Sequence, residues 1–508
     1  MTETKTQLKT QSLIMTPIKD IQEERRRLYH EADVVVVGAG VFGCAIAVAL
    51  AKQGRSVILL ERSLAQPDRI VGELLQPGGV SALQKLGLSK CVEGIDAIRV
   101  KGYEVIYYGE EVQISYPENA GTTYGGQTLG EAPNEKSKRP EGVAFHHGRF
   151  IQKLREACMA EPNITIFETT ATSTVTSDNS PTILGVQSET KDSETGNKKK
   201  DYFFGALTII ADGYASKFRK QYLSATPVVK SKFFALELID CPLPREYHAQ
   251  VILSDVPPTL LYQIGTHETR ALIDIPENLP TATVEKGGVK GHLKNVVLPT
   301  LPKAIQPSFA KALEGNGLRS MPNSFLPPST QKQPGMIILG DAMNMRHPLT
   351  GGGMTVAFSD AVLLAELLEP LPSLEDTAAI SKVMRTFHWK RKPLSAIINI
   401  LSMALYSLFA ANDSQLTTLK NGCFSYFKVG GNCIDGPAGL LAGIIAQPLV
   451  LFYHFFAVAL LSIWVMIKEM VGNVFGLWKV PIALVQGFLV FWKACVVIFP
   501  YIFSEMKA

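Results

Sequence analysis

The pattern of apolar and polar positions changes character along the chain. Asp33 to Val37 (DVVVV) is a continuous β-branched run, the signature of a parallel strand buried on both faces. It leads into Gly38-Ala39-Gly40-Val41-Phe42-Gly43, then the helical stretch AIAVALAKQG, then SVILLE, a second apolar strand ending in Glu61. Met336 to Leu339 predicts another buried strand, which closes in Gly340-Asp341-Ala342. Gly351, Gly352 and Gly353 then open an apolar helix that has no side-chain cap. Between these regions KFFALELID, QVILSDVPPTLLYQIG and TRALIDIP predict strands of a mixed sheet. Beyond residue 437 apolar positions dominate. Leu440 to Ile467, interrupted by Gln447, Pro448 and His454, exceeds the ~20 residues a spanning helix needs. Val480 to Phe503 is similar but carries Lys493 near its middle, which costs about 2.5–3.5 kcal/mol at a bilayer centre. That charge predicts a hairpin that dips into the membrane with Lys493 snorkelling, a buried soluble hairpin being the alternative.

Three polar stretches interrupt this pattern. Residues 1–30 lack an apolar core of signal-peptide length and predict a polar, partly disordered lead-in. Residues 117–141 are rich in glycine, proline and charge and predict a flexible insertion, and 187–201 predict a polar hairpin tip. Composition adds little to this except where it excludes. Apolar residues make up 46% and charged residues 19%, an excess that collects at the C-terminal end. A net charge of +4 is too small at this length to imply nucleic-acid binding. The 7 cysteines are odd in number and scattered without a CxxC pair, so neither a disulfide framework nor a zinc site is indicated and reducing, cytosol-facing surroundings fit. His146 and His147 have no third ligand at metal spacing, so no metal is assigned.

Strand, glycines, helix, strand and terminal acid together form a dinucleotide-binding βαβ unit. Its glycines make the tight turn, admit a pyrophosphate and let helix pack on strand. Glu61, 18 residues after Gly43, is placed to hold a ribose hydroxyl pair and disfavours a 2′-phosphate. A single fingerprint followed far along the chain by Gly340-Asp341-Ala342 suits a cofactor too long for one unit. Asp341 can accept from a ribityl hydroxyl, and the N–H groups around Gly352 to Met354 can meet a flavin ring edge. That cofactor is FAD.

GAGVFG, PDRIVGELLQPGG, HHGRF, ADGYASKFRK, MPNSFLPP and GDAMNMRHPLTGGGMTVAFSD together resemble the squalene epoxidase (squalene monooxygenase) family from about residue 31 onward. The resemblance implies an α/β fold: a Rossmann-like FAD-binding domain, a mixed-sheet substrate domain like that of p-hydroxybenzoate hydroxylase, and a C-terminal helical membrane-binding region. It implies FAD contacts from Val41, Phe42, Glu61, Arg69, Leu74, Arg149, Asp341 and Met354, and from Asp212 in a DG motif. From the residues alone, Arg149 could equally cap an acidic neighbour and Asp212 the helix after it. The implied reaction converts squalene to (S)-2,3-epoxysqualene with O2 through a flavin hydroperoxide, in sterol biosynthesis. Such chemistry needs a dry pocket rather than a triad, metal cluster or carboxylate pair, and no such constellation is evident. Gln76 and Tyr103 are the implied polar groups near the flavin, joined by a hydrogen bond, although Tyr103 also fits an ordinary strand aromatic. Ser320 to Pro328, with Phe325, Leu326 and Pro327, is a proline-stiffened pocket wall or a core loop. His388-Trp389-Lys390-Arg391-Lys392 suits an anionic lipid surface, and the apolar helix PLSAIINILSMALYSLFA follows it.

These expectations divide the chain into FAD-binding parts at 31–116, 142–224 and 334–370, a substrate domain at 225–333, a helical region at 371–436 and membrane-binding helices at 437–508. The resemblance further implies squalene as substrate, electrons from NADPH through an NADPH–cytochrome reductase, and the endoplasmic reticulum membrane with the catalytic body in the cytosol. Direct use of NADPH stays open. So do a membrane flavoprotein reductase of prenyl chains and a non-catalytic prenyl-lipid carrier.

Overall fold

The computed structural model describes residues 29–118, 139–191, 197–277, 279–315, 317–410, 413–472 and 478–507. The lead-in up to residue 28, most of the 117–141 insertion and the tip of the 187–201 hairpin lie outside these residues. The strands flanking that tip do pair antiparallel, with Lys191 opposite Lys198.

Continuous apolar runs form the first sheet. Strand β1 (Glu31–Val37) lies parallel to β2 (Val57–Glu61), to the end of β3 (Lys198–Ile210), and β3 in turn to β4 (Met336–Ile338). Ile164–Glu168 extends the sheet beyond β2. Val34, Val35, Val36, Leu59 and Ile209 are essentially inaccessible, as strands covered on both faces require. Helix α1 (Val41–Lys52) follows β1 as expected, α2 (His147–Ala160) packs beside it, and α3 (Gly353–Leu368) covers α1. The parallel strands end on one side of the sheet, so Gly38, Glu61, Asp212 and Asp341, each at or just beyond a strand's carboxyl end, arrive together. That edge is where open α/β sheets bind ligands.

The second sheet runs in the order Arg319–Phe325, Val228–Ile239, Glu268–Pro276, Thr259–Gln263, His248–Leu253, Gly102–Tyr107, Glu110–Ser115. It is antiparallel except where His248–Leu253 meets Gly102–Tyr107. The last two strands come from the segment grouped by sequence with the first FAD-binding part. Backbone pairing to residues 248–253 draws them into this second sheet instead, and this carries Tyr103 across to it.

Among the described residues five helices finish the chain: α4 (Thr377–Phe409), α5 (Ser414–Val429), α6 (Asn432–Leu441), α7 (Pro448–Val471) and α8 (Val480–Met506). The Leu440–Ile467 run is not one helix. Gly443 takes a positive φ of 67°, and Gly78 N–H donates to Ala442 O at 2.8 Å, tying the break to the first domain before Pro448 starts α7. Helices α4, α7 and α8 are long and apolar enough to cross a membrane, and α7 and α8 pack together while leaving Leu449, Tyr453, Trp464, Phe488 and Trp492 exposed. An apolar surface of that kind associates with lipid. The Nζ of Lys493 pairs with Asp413 at 2.7 Å, and Asp413 also caps α5 through Leu416 N–H at 2.8 Å. The basic cluster at 388–392 likewise divides. Residues three apart share a helix face, so His388 and Arg391 are buried together and Arg391 forks onto Asp360 at 2.9 and 2.7 Å. Trp389 and Lys390 keep the outward face.

Candidate functional site

A cleft of about 500 Å³ runs along the carboxyl edge of the first sheet and under the second. At one end the Gly38–Phe42 turn faces Glu61. Gly38, at φ 106°, passes so close to the strand-end backbone that a Cβ would sit 2.5 Å from Ala211 O. A Cβ on Gly43 would lie 1.8 Å from Gly38 O, so Gly43 serves helix–strand packing and does not face the cleft, whereas a Cβ on Gly40 would meet nothing within 4 Å. That open backbone is the shape a pyrophosphate needs. Ala39 N–H donates to Glu61 Oε2 at 2.8 Å. Farther along, Arg69, Leu74, Asp212, Asp341 and Met354 line the same cleft. Burial pushes the Asp212 carboxyl up, and its Oδ1 is a buried acceptor without a partner among the described residues. His147 also lines the cleft. It is held neutral, its pKa pushed down to about 4 by burial, with Nδ1 on Gly72 O at 2.9 Å. The acceptors, open glycine backbone and length of this cleft fit FAD.

Some expected residues fall elsewhere. Arg149 leaves the cleft, its guanidinium facing Ile95 O at 3.4 Å and Asp96 at 3.9 Å. The arginine that enters is Arg155, six positions later and on another face of α2. It donates to Ala39 O and Ala65 O, both at 3.1 Å, and reaches Glu61 at 3.6 Å, so it braces both the glycine turn and the acid. A signal for it exists in the sequence: Arg155 shares the apolar stripe of Ile151, Leu154 and Cys158, where a charge is out of place. Gly352 is also turned away, because a Cβ there would lie 2.4 Å from Ile398 Cγ2. Gly351 and Gly353 line the cleft in its stead.

A second cavity, about 130 Å³ and almost wholly apolar, lies between the second sheet and helices α4 to α8. Val105, Ile114, Ala404, Phe409, Phe427 and Val458 are among its walls. Tyr103, Val251 and Leu349 line both cavities and mark where they meet. Leu349 is set there by fully buried His347. The Nδ1 of His347 accepts from Leu349 N–H at 3.3 Å, and its ring stacks on Tyr406 of α4 with centroids 4.2 Å apart. Gln76 lies behind this junction, fully buried, and the Tyr103 hydroxyl faces both it and Tyr116. Tyr116 donates to Gln76 Oε1 at 2.7 Å, and Gln76 Nε2 donates to Thr350 O at 2.9 Å. Burial pushes the Tyr103 hydroxyl pKa up, and the nearby side chains of Gln76 and Tyr116 offset part of that rise. Phe325, Leu326 and Pro327 line neither cavity. Leu326 bridges to Met345, and that turn sends Phe325 against Tyr501, 5.3 Å between centroids, while Met321, Pro322 and Ser324 from the same segment reach the cleft.

Comparison with known proteins agrees with this geometry. A family model described as squalene epoxidase matches residues 204–478, and one described as FAD-dependent oxidoreductase matches 33–68. Squalene epoxidase erg1 of Aspergillus fumigatus is 57% identical over 492 residues, covering 96% of this chain and 97% of that one. Squalene monooxygenase of Mus musculus is 43% identical over 481 residues, covering 94% and 78%. Among solved structures, p-nitrophenol 4-monooxygenase PnpA from Pseudomonas putida DLL-E4 superposes with a TM-score of 0.61 at 18% identity, covering 81% of this chain and 97% of that one. PqsL, a probable FAD-dependent monooxygenase from Pseudomonas aeruginosa, gives 0.58 at 20%, covering 75% and 97%. These two share the fold, a flavoprotein monooxygenase architecture. With relatives of such identity along nearly its whole length, this chain belongs to the squalene epoxidase family.

Proposed function

We propose that the protein is an FAD-dependent squalene epoxidase, converting squalene to 2,3-epoxysqualene with O2 for sterol synthesis. The observation that carries this reading is the meeting of a dinucleotide-shaped polar cleft with an apolar cavity at Tyr103, Val251 and Leu349. Bound FAD supplies the reducing electrons and the activation of oxygen. The chain's own residues bind, orient and dry the site. In this reading the Gly38–Phe42 turn takes the pyrophosphate, and Glu61, braced by Arg155, takes the adenosine ribose. Asp341 and the start of α3 take the ribityl and ring, with Arg69, Leu74, Asp212 and Met354 along the path. The apolar walls hold a long hydrocarbon and exclude water, so an alkene reaches the ring edge without competing hydrolysis. The Tyr116–Gln76–Thr350 chain keeps the pocket roof in shape, and Tyr103 sits in contact with both ligands.

The electron donor is NADPH acting through a separate reductase, and the exposed face of α7 and α8 lies in the endoplasmic reticulum membrane with the body in the cytosol. The uniformly reduced cysteines and the lipid solubility of squalene support that placement. The test is an assay of detergent-purified protein with squalene, O2, FAD and NADPH, with and without reductase. Epoxide only with reductase is the expected result. Epoxide with NADPH alone removes the partner but keeps the chemistry. No epoxide from flavin-loaded protein overturns the reading in favour of a prenyl-chain reductase.

A further inference from the structure

Arg346 lines the polar cleft beyond Asp341, and no motif singles it out. The residue is 9% exposed, yet its guanidinium is only partly used. Nη2 donates to Asn344 O and to Asn344 Oδ1, both at 2.9 Å, whereas Nε and Nη1 have no partner among the described residues. Its closest basic neighbour in the network, Arg391, occupies both oxygens of Asp360 at 2.9 and 2.7 Å. Glu505 is engaged by Asn399 Nδ2 at 2.7 Å. The carboxylates of Asp341, Asp360 and Glu505 act on Arg346 from farther off, and Arg391 opposes them. Two other buried arginines are better matched: Arg155, in the same cleft, reaches Glu61, and Arg270 forks onto Glu73 at 2.8 and 2.9 Å. A buried cation with two bare donors calls for an anion or acceptor in the space it faces.

A second feature points to the same end of the cleft. Helix α3, 16 residues long, starts there with no side-chain cap, and a Cβ on Gly353 would meet nothing within 4 Å. Its free N–H groups and dipole are positive toward the cleft. FAD gains a negative charge at this ring end when it takes up two electrons and one proton, since the pyrimidine side of the reduced ring is an anion near neutral pH. We infer that Arg346 and the N-terminus of α3 hold that charge, so Arg346 sets the redox potential of the flavin rather than merely completing the polar network behind it. This rests on the reading of the cleft as an FAD site.

The test is the midpoint potential of FAD bound to full-length, detergent-purified protein, by spectroelectrochemical titration with dithionite, for the unaltered enzyme, R346K and R346Q. For R346Q, reduced FAD should be held about tenfold more weakly relative to oxidised FAD, a potential lower by about 30 mV for a two-electron couple. R346K, which keeps the charge, should restore most of the difference. A potential unchanged in R346Q, with flavin fully bound, overturns the inference and leaves the FAD reading intact. An unaltered protein that binds no FAD fails the underlying reading instead. Should R346Q shed its flavin, sulfite titration of the unaltered protein decides. Sulfite adds to oxidised flavin and leaves the ring negatively charged, so bleaching of the long-wavelength flavin band is expected, and its absence overturns the inference.

Discussion

The polar cleft and the apolar cavity touch through the same side chains but are built by opposite rules. The cleft is made of strand ends. Each of its main groups, Gly38, Glu61, Asp212 and Asp341, sits at or just past the end of a parallel strand, inside a contiguous motif. The cavity is made of faces, with walls from Tyr103 to Val497 supplied mostly by a sheet and by successive helices, outside any short signature apart from Leu349 and Thr350. Local backbone geometry therefore fixes the first, and long-range packing fixes the second. The two can be broken separately.

The largest expected effect lies on the cleft side. Asp341→Ala removes an acceptor just beyond the end of β4, where the proposed FAD site begins. The loss of a hydrogen bond to a charged group, about 1.5–3 kcal/mol, should weaken FAD by roughly ten- to a hundredfold. The ratio of flavin to protein absorbance after purification checks it. Full flavin content and full turnover would remove Asp341 from the site.

How far each region could be read from sequence follows from the same difference. The βαβ unit, the strand before Asp341 and the uncapped glycine-opened helix were all legible, because each is a local pattern. Arg149 was taken for Arg155 because a motif names a neighbourhood, whereas the helix face decides which arginine enters. The further partners of Gln76, Tyr116 and Thr350, are not legible in sequence because they approach it only in the folded chain, the latter from 274 positions away. The fate of Lys493 was equally hidden, since its partner Asp413 lies on a different helix. Phe325 and its neighbours had the right composition for a pocket wall, but the bridge from Leu326 to Met345 turns them away.

A smaller effect concerns stability on the cleft side. Burial holds the folded pKa of His147 down at about 4, below the 6.5 of a free imidazole. Its neutral form favours the native state above the unfolded pKa, and that contribution is lost as pH falls from the unfolded toward the folded value. By pH 5 the loss reaches about 2 kcal/mol. His147→Gln keeps a donor for Gly72 O and removes the titration. Thermal release of flavin fluorescence at pH 7 and pH 5 should therefore fall less in the variant than in the unaltered protein. An equal fall would show that other groups dominate.

The most direct test of two separable cavities meeting at one junction is Ala404→Phe, assayed for flavin content and squalene turnover on the same preparation. Ala404 lines only the apolar cavity and is buried at 4% exposure. A phenyl ring there fills space meant for hydrocarbon, with overpacking of about 1–3 kcal/mol. Full FAD occupancy with epoxidation reduced at least about tenfold, the rate equivalent of about 1.4 kcal/mol, is expected. Unchanged epoxidation with FAD bound would contradict the assignment of that cavity to the substrate.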